Sequence, residues 1–372
     1  MKKMNDIIIN LINKNASVNE ICSITGLSHK QLFYRMSMLR IKGYDFTKKY
    51  YYNGDIVYKL KKSVEKDNDT TIITRKSDTE FKALLISDLH LGNVYGRPDL
   101  LNEVYNFCIK KGINIIINAG DLVDGPKTCG NLHNKKILDI EKQIEYLLKV
   151  YPFDKNILNF ICLGNHDYSC LQTEGLDLHK IFENKRHDLI SLGYNNGVIN
   201  IKNDKIGVLH SIDVDKCSNK KILLNLHGHS HKSKNQIFSR SVDLWIPSLT
   251  DLDVMDGKNL RKNFPSMILA TFSFNKTGFF EEGNFEQFIF VNSELIKVNE
   301  FICNLLDGKN VYANNIKNEE ERKALSKKDI DEVFEIRKMS EPNNEIVHND
   351  NLSKNKSLKL TQVEKFNKKW SK

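Results

Sequence analysis

Five short clusters carry most of this chain's capacity for chemistry. They are Asp88-x-His90, Gly120-Asp121-x-x-Asp124-Gly125, Gly164-Asn165-His166-Asp167, the single His210, and Gly228-His229-Ser230-His231. Each follows an apolar run that reads as a buried strand. Carboxylate, imidazole and amide oxygen together suit a hard-to-borderline divalent cation such as Mn²⁺, Fe²⁺ or Zn²⁺. No thiolate belongs to the set, which argues against a structural zinc site. The donors outnumber what one ion takes. A carboxylate shared by two ions, at the roughly 3.5–4 Å spacing of two-metal hydrolases, accommodates them.

In this order, across residues 84–231, the motifs resemble the signature blocks of the calcineurin-like metallophosphoesterase superfamily. The resemblance implies a four-layer α/β/β/α sandwich and two divalent metal ions, with Mn²⁺ expected and Fe²⁺ or Zn²⁺ as alternatives. It implies a first ion on Asp88, His90, Asp121 and His231, and a second on Asp121, Asn165, His210 and His229, with Asp121 as the bridge. Two such ions would supply hydroxide near neutral pH. His166, next to Asn165, would protonate the leaving alkoxide or stabilise the developing charge. Asp124 and Asp167 would orient imidazoles from behind, Asp124 being the candidate partner of His166. His227 is expected to point away from the site, and His133, His179 and His187 to lie at the surface.

Such a ligand set needs a sheet whose strand ends converge. Ala83–Ile86, Ile113–Ile117, Ile157–Cys162, Ile206–Leu209 and Ile222–Leu226 read as strands, Leu100–Ile109 as an amphipathic helix and Ile137–Val150 as a long helix. The alternation makes residues 81–300 an α/β domain with its polar clusters at the carboxyl ends of strands, where open sheets place ligands. Residues 63–80 read as a polar linker ending in an edge strand at Thr71–Thr74. Ahead of it, residues 1–62 hold two capping boxes, Ser17-Val18-Asn19-Glu20 and Ser28-His29-Lys30-Gln31, around Thr25-Gly26. Asn53-Gly54 between two β-rich runs then signals a hairpin. That order resembles a small winged helix-turn-helix domain, whose second helix would present His29, Lys30, Phe33, Tyr34, Ser37 and Arg40 to a DNA groove, with Lys48, Lys49 and Lys59 on the wing. Residues 301–372 read as a helical stretch, Glu319–Lys338, followed by a largely disordered basic tail.

Charge divides along the same lines. The chain of 372 residues has a net charge of +9. Residues 1–80 hold 15 basic and 9 acidic side chains, residues 301–372 hold 15 and 12, and the 26 of each sign in residues 81–300 cancel. The excess therefore bears on where the protein is taken rather than on its chemistry. Seven cysteines with no C-x-x-C pair fit reduced thiols in a cytoplasm. No apolar run reaches the roughly 18 residues of a spanning helix, and Met1-Lys2-Lys3 opens no leader with a cleavage site.

The expected activity is a two-metal phosphodiesterase or nuclease acting on nucleic acid or nucleotides, and a complete ligand set favours a working enzyme. The alternative is a DNA-binding regulator whose phosphoesterase domain senses or processes a small phosphorylated ligand. A phosphoprotein phosphatase is disfavoured. By the resemblance, such enzymes carry Arg near the second motif and Glu after Asn-His, where this chain has Gly125-Pro126 and Asp167.

Overall fold

Along the central strands, successive apolar side chains point to opposite faces, and this alternation decides which layers they join. The structure, a computed structural model, describes residues 2–60, 70–126, 136–210, 222–237, 241–253, 261–262, 264–292, 294–305 and 312–313. The expected helix Glu319–Lys338 and the tail lie outside the described residues. Three helices come first, α1 (Lys2–Asn13), α2 (Val18–Thr25) and α3 (His29–Ile41), then strands β1 (Phe46–Tyr51), β2 (Ile56–Leu60), β3 (Thr70–Ile73) and β4 (Glu80–Ile86). The α/β alternation follows: α4 (Pro98–Lys111), β5 (Ile115–Asn118), α5 (Ile140–Val150), β6 (Leu158–Leu163), α6 (Asn165–Glu174), α7 (Leu178–Lys185) and β7 (Leu189–Tyr194). Next are β8 (Asn196–Ile201), β9 (Asp204–Leu209), β10 (Leu224–His227), β11 (Lys234–Ile237) and β12 (Val242–Trp245). The short pair β13 (Leu252–Asp253) and β14 (Arg261–Lys262) precedes β15 (Ser266–Phe274), β16 (Phe280–Val291), β17 (Glu294–Asn304) and β18 (Tyr312–Ala313).

These strands make two eight-stranded sheets and one two-stranded ribbon. The first large sheet runs β18-β17-β16-β15-β4-β5-β6-β7, the second β11-β12-β10-β9-β8-β3-β1-β2. In the first, β4, β5, β6 and β7 are parallel, and β15 closes antiparallel on β4. Ala83, Leu85, Ile115, Ile117, Phe160 and Cys162 join the core shared with Ile199, Ile206, Val208, Leu224 and Leu226 of the second sheet. Their neighbours Leu84, Ile86, Ile116, Ile161 and Leu163 face the other way, into a core with α4, α5, α6 and α7. The described helices thus form one layer over the first sheet and a group of three at the amino end. An outer helical layer over the second sheet, as the four-layer expectation requires, is not among the described elements.

The amino-terminal elements form where their caps predict. Ser17 and Ser28 each complete a capping box, and Gly26 ends α2 in the left-handed conformation. The hairpin β1–β2 also forms. It does not stand apart, however. β3 pairs in parallel with both β1 and β8, which makes β3 an interior strand and puts the hairpin in the second large sheet. Ile8, Ile12, Ile21, Leu32 and Met36 merge with the core between the sheets. The expected boundary at 62 lies outside the described residues, and by their contacts the described residues up to 313 group as one compact unit. The physical reason is that a two-stranded hairpin has two unsatisfied edges, and β3 satisfies one of them. Among the described residues, no helix is long and apolar enough to cross a membrane.

Candidate metal centre

The site forms where the loops after β4, β5, β6, β9 and β10 meet. Main-chain bonds zip the first two loops together beyond their strands: Asp88 N–H donates to the Gly120 carbonyl at 2.8 Å, and Leu89 and His90 N–H to that of Asp121 at 2.9 and 3.0 Å. The loop after β10 joins through His229 N–H, which donates to the Asp88 carboxylate at 3.1 Å. The loop after β6 joins through His166 N–H, which donates to Asp121 Oδ1 at 2.9 Å. That donor belongs to the first turn of α6, whose positive end favours an anion there. Gly164 permits this approach, since a Cβ on it would lie 2.2 Å from Asp121 Oδ1.

Five of the expected ligands hold positive φ angles although none is glycine: Asp88 (53°), His90 (41°), Asp121 (52°), His229 (67°) and His231 (58°). Each such residue costs roughly 1–3 kcal/mol and persists only where its surroundings over-determine it. Here the strained backbone aims five donor side chains into one space.

Two groups of the expected ligands result, Asp88, His90 and His231 on one side and Asp121, His210 and His229 on the other, and a third cluster joins His90 to Asp124 and His166. His231 Nε2 lies 3.4 Å from Asp88 Oδ1 and 3.2 Å from His90 Nε2. His210 Nε2 lies 2.8 Å from Asp121 Oδ2, and His90 Nε2 is 3.9 Å from the same oxygen. Asp121 therefore faces both groups. His210 Nδ1–H donates to the Ala119 carbonyl at 2.5 Å, which leaves Nε2 as the nitrogen turned to the site. Asn165 opens α6 beside Asp121, and its buried Oδ1 has no hydrogen-bond partner among the described residues. A buried acceptor without a donor and two imidazole nitrogens converging beside a carboxylate are what divalent cations satisfy, so the residues fit the expected metal pair.

Electrostatics agree with that fit. Burial pushes His90 down to about 3, helped by the His166 and His231 imidazoles, and His229 is lowered by burial and His210, so both favour the neutral form that ligates. Burial works against ionised Asp88 and Asp121. The imidazoles nevertheless hold both below the usual carboxylate range, His231 acting most on Asp88 and His210 on Asp121. In the same pairing burial opposes the His210 cation, but the Asp121 carboxylate raises it to about 10. Cations at the site would displace that proton.

The residues expected behind the ligands divide differently. His166 Nδ1 is 2.7 Å from the main-chain carbonyl of Asp124, not from its carboxylate. The Asp124 carboxylate instead lies 3.8 Å from His90 Nδ1 and accepts from Asn93 Nδ2 at 3.0 Å. Among the described residues, Asp167 is hydrogen-bonded to main chain. Its carboxylate accepts the main-chain N–H groups of Leu122, Val123 and Gly164 at 2.9–3.2 Å and so ties the β5 loop to the start of α6. Burial and the Asp121 carboxylate push Asp167 up to about 7 against the pull of those amides. His227 points elsewhere as expected, 3.3 Å from Asp243 and stacked on Trp245. His187 is buried rather than at the surface, hydrogen-bonded to Tyr58 and stacked on Phe33 at 4.3 Å.

Of the six residues expected to enter a DNA groove, four make contacts within the protein. Phe33 is 5% exposed against His187. Ser37 Oγ donates to the Asn184 carbonyl at 3.1 Å, Arg40 pairs with Glu183 at 3.5 Å, and His29 bonds Asn19 at 2.8 Å. That face of α3 is an internal interface with α7 and the loop after it. Lys30 and Tyr34 remain exposed. Lys48 also turns inward from the wing, and burial together with Arg40 lowers it to about 8.

Asn93 and Gln143 were not legible as site residues. Gln143 left a trace in the sequence, a polar residue on the apolar face that Ile140, Ile144 and Leu147 give α5. Asn93 left none.

Residues 81–272 match the sequence model of the calcineurin-like phosphoesterase family. An uncharacterized metallophosphoesterase of Helicobacter pylori is 28% identical over 103 residues, covering 28% of this chain and 24% of that protein. The matched stretch thus spans about a quarter of the curated relative's length. Among solved structures, Vps29 of Chaetomium thermophilum is 13% identical with a TM-score of 0.39, covering 60% of this chain and 99% of its own. A structure described as a novel archaeal phosphodiesterase is 12% identical with a TM-score of 0.33, covering 59% of this chain and 100% of its own.

Proposed function

Because the chain belongs to the calcineurin-like phosphoesterase family, we propose that it hydrolyses phosphoesters, and phosphodiesters of nucleotides or nucleic acid in particular. The observation that carries this reading is the convergence of Asp88, His90 and His231 with Asp121, His210 and His229 around one carboxylate. Asp88, His90, Asp121 and His231 would hold one divalent cation, and Asp121, Asn165, His210 and His229 the other. When bound, the cations supply Lewis-acid charge for the phosphoryl oxygens and hydroxide near neutral pH. Mn²⁺ is the proposed metal, by donor chemistry.

The remaining work falls to the chain. His229 is exposed and His166 half-buried, while Asp88, His90, Asp121 and His210 are buried, so substrate reaches the site past the first two. His166 Nδ1–H, donated to the Asp124 carbonyl, turns Nε2 to the cleft, 4.0 Å from Asp121 Oδ2. As a hydroxide oxygen bonds to phosphorus and the bond from phosphorus to the leaving oxygen breaks, the proton carried on His166 Nε2 would pass to that leaving oxygen. The preference for a diester rests on Gly125-Pro126 and Asp167 at positions where the phosphoprotein phosphatases of the superfamily differ.

A Mn²⁺-supplemented substrate panel tests the reading. Bis-p-nitrophenyl phosphate, single- and double-stranded DNA, RNA and cyclic nucleotides should include a substrate turned over faster than p-nitrophenyl phosphate and a phosphopeptide. A chelator should abolish the activity. No metal-dependent turnover of any ester would sink the enzyme, and preference for the phosphopeptide would sink the diester. The order of elements in residues 1–60 supports a winged-helix reading and duplex DNA as a partner, now through the exposed Lys30 and Tyr34. Lys30→Glu should then weaken duplex binding, and unchanged affinity removes that partner.

A further inference from the structure

Gln143 is fully buried on α5, yet its side chain touches both the β4–α4 and the β5–α5 connections of the site. Its Oε1 accepts from Gly125 N–H at 2.9 Å, and its Nε2 donates to the Ile137 carbonyl at 2.7 Å and leans toward the Gly125 carbonyl at 3.5 Å. Its Cγ and Cδ fill the space where a Cβ on Gly92 would stand, 2.9 Å away. Gly92 lies two residues beyond His90, and its carbonyl accepts from Lys136 and Ile137 N–H at 2.8 and 3.0 Å. Gly125 is the residue after Asp124, with φ at 62°.

A buried primary amide on an apolar helix face is costly unless its groups are matched. One line of this matching passes through a single peptide group: Gly125 N–H donates to Gln143 Oε1, and the Asp124 carbonyl of that peptide accepts from His166 Nδ1–H, which leaves Nε2 facing the cleft. We propose that Gln143 is a positioning residue for His166, fixing the Asp124 carbonyl that holds the imidazole in the orientation needed to protonate the leaving group. The inference rests on the reading of His166 as the acid. Gln143 itself touches neither substrate nor ligand atoms.

A loss of leaving-group protonation affects substrates unequally, whereas a general loosening of the fold affects them alike. The test compares two diesters with Mn²⁺ present: bis-p-nitrophenyl phosphate, whose nitrophenolate leaves without a proton, and a dinucleoside monophosphate, whose alkoxide needs one. Gln143→Met keeps the shape and removes the amide. It should lower the ratio of kcat on the dinucleoside to kcat on the nitrophenyl ester by about 10–100-fold, as expected of a misplaced group. KM and metal content should stay near those of the parent. Gln143→Glu keeps an acceptor for Gly125 N–H and should recover part of the ratio. His166→Ala should lower the ratio further, by about 100-fold or more.

Equal losses on both diesters in Gln143→Met, with a selective loss in His166→Ala, would overturn the inference and leave the acid reading intact. Equal losses in His166→Ala would overturn both. A second measurement does not depend on turnover. The His166 Nδ1 proton, held on the Asp124 carbonyl, should give a slowly exchanging downfield NMR resonance in the parent that Gln143→Met loses. Its persistence in the variant would also overturn the inference.

Discussion

Gly164 shows how narrowly a single position can be constrained. It lies against Asp121, and its N–H donates to Asp167 at 2.9 Å. A methyl group there would meet Asp121 Oδ1 at 2.2 Å and Asp121 N at 2.6 Å, one of them main chain, so the shared carboxylate must move. Gly164→Ala should cut metal-dependent turnover by about 100-fold, the scale of an ångström of displacement. Overpacking should cost the fold only about 1–3 kcal/mol. Metal content by mass spectrometry and a thermal melt separate the two effects. A full metal complement with normal turnover would show that Asp121 tolerates the shift.

At the scale of elements, the contact between α3 and α7 carries a buried imidazole. Tyr58 on β2 bonds His187, Phe33 on α3 stacks on it, and Lys48 on β1 and Arg40 on α3 add positive charge nearby. Burial first, and then Lys48 and Arg40, hold His187 well below its ordinary value. As pH falls through about 6.5, the unfolded chain takes up a proton that the folded chain refuses. The contribution of His187 to stability is therefore full above that pH and declines below it, by at most about 1.4 kcal/mol per pH unit. His187→Phe should keep the stack on Phe33 and flatten the fall in stability between pH 7 and 5, read from denaturant melts. An unchanged slope would place the proton uptake elsewhere.

For the whole molecule, the amino-terminal elements are part of the sandwich and not an appendage. β1 and β2 extend the second sheet through β3, and Ile8, Ile12, Leu32 and Met36 share the core between the sheets. Removing residues 2–60 would strip an edge from β3 and expose the apolar face opposite Phe160, which Tyr50 covers at a ring distance of 5.5 Å. The truncated chain should aggregate or lose its near-UV circular dichroism. A cooperative, monomeric melt of residues 61–372 would show instead that the unit is dispensable. Within the unit, α3 is tied to α7 by Ser37 on the Asn184 carbonyl and by Arg40 on Glu183.

Much of this was legible from residue types alone. The capping boxes at Ser17 and Ser28 formed as read, because a cap depends on four consecutive residues. The strands just before Asp88, Asp121 and Asn165 formed because a continuous apolar run has few other outcomes in a parallel sheet. The ordered motifs carried the family for the same reason, since each ligand sits within a few residues of the end of its strand. Other features depend on residues far apart in sequence. Nothing near Phe33, Ser37 or Arg40 announces that Asn184, Glu183 and His187, some 150 positions on, will occupy that face. Asp124 could be chosen as a partner for His166, but only the packed loops decided that its carbonyl does the holding while its carboxylate faces His90. Sequence determined which groups could do chemistry. Long-range packing decided which atom of each group faces which neighbour, because orientation is set by contacts that local residue patterns do not encode.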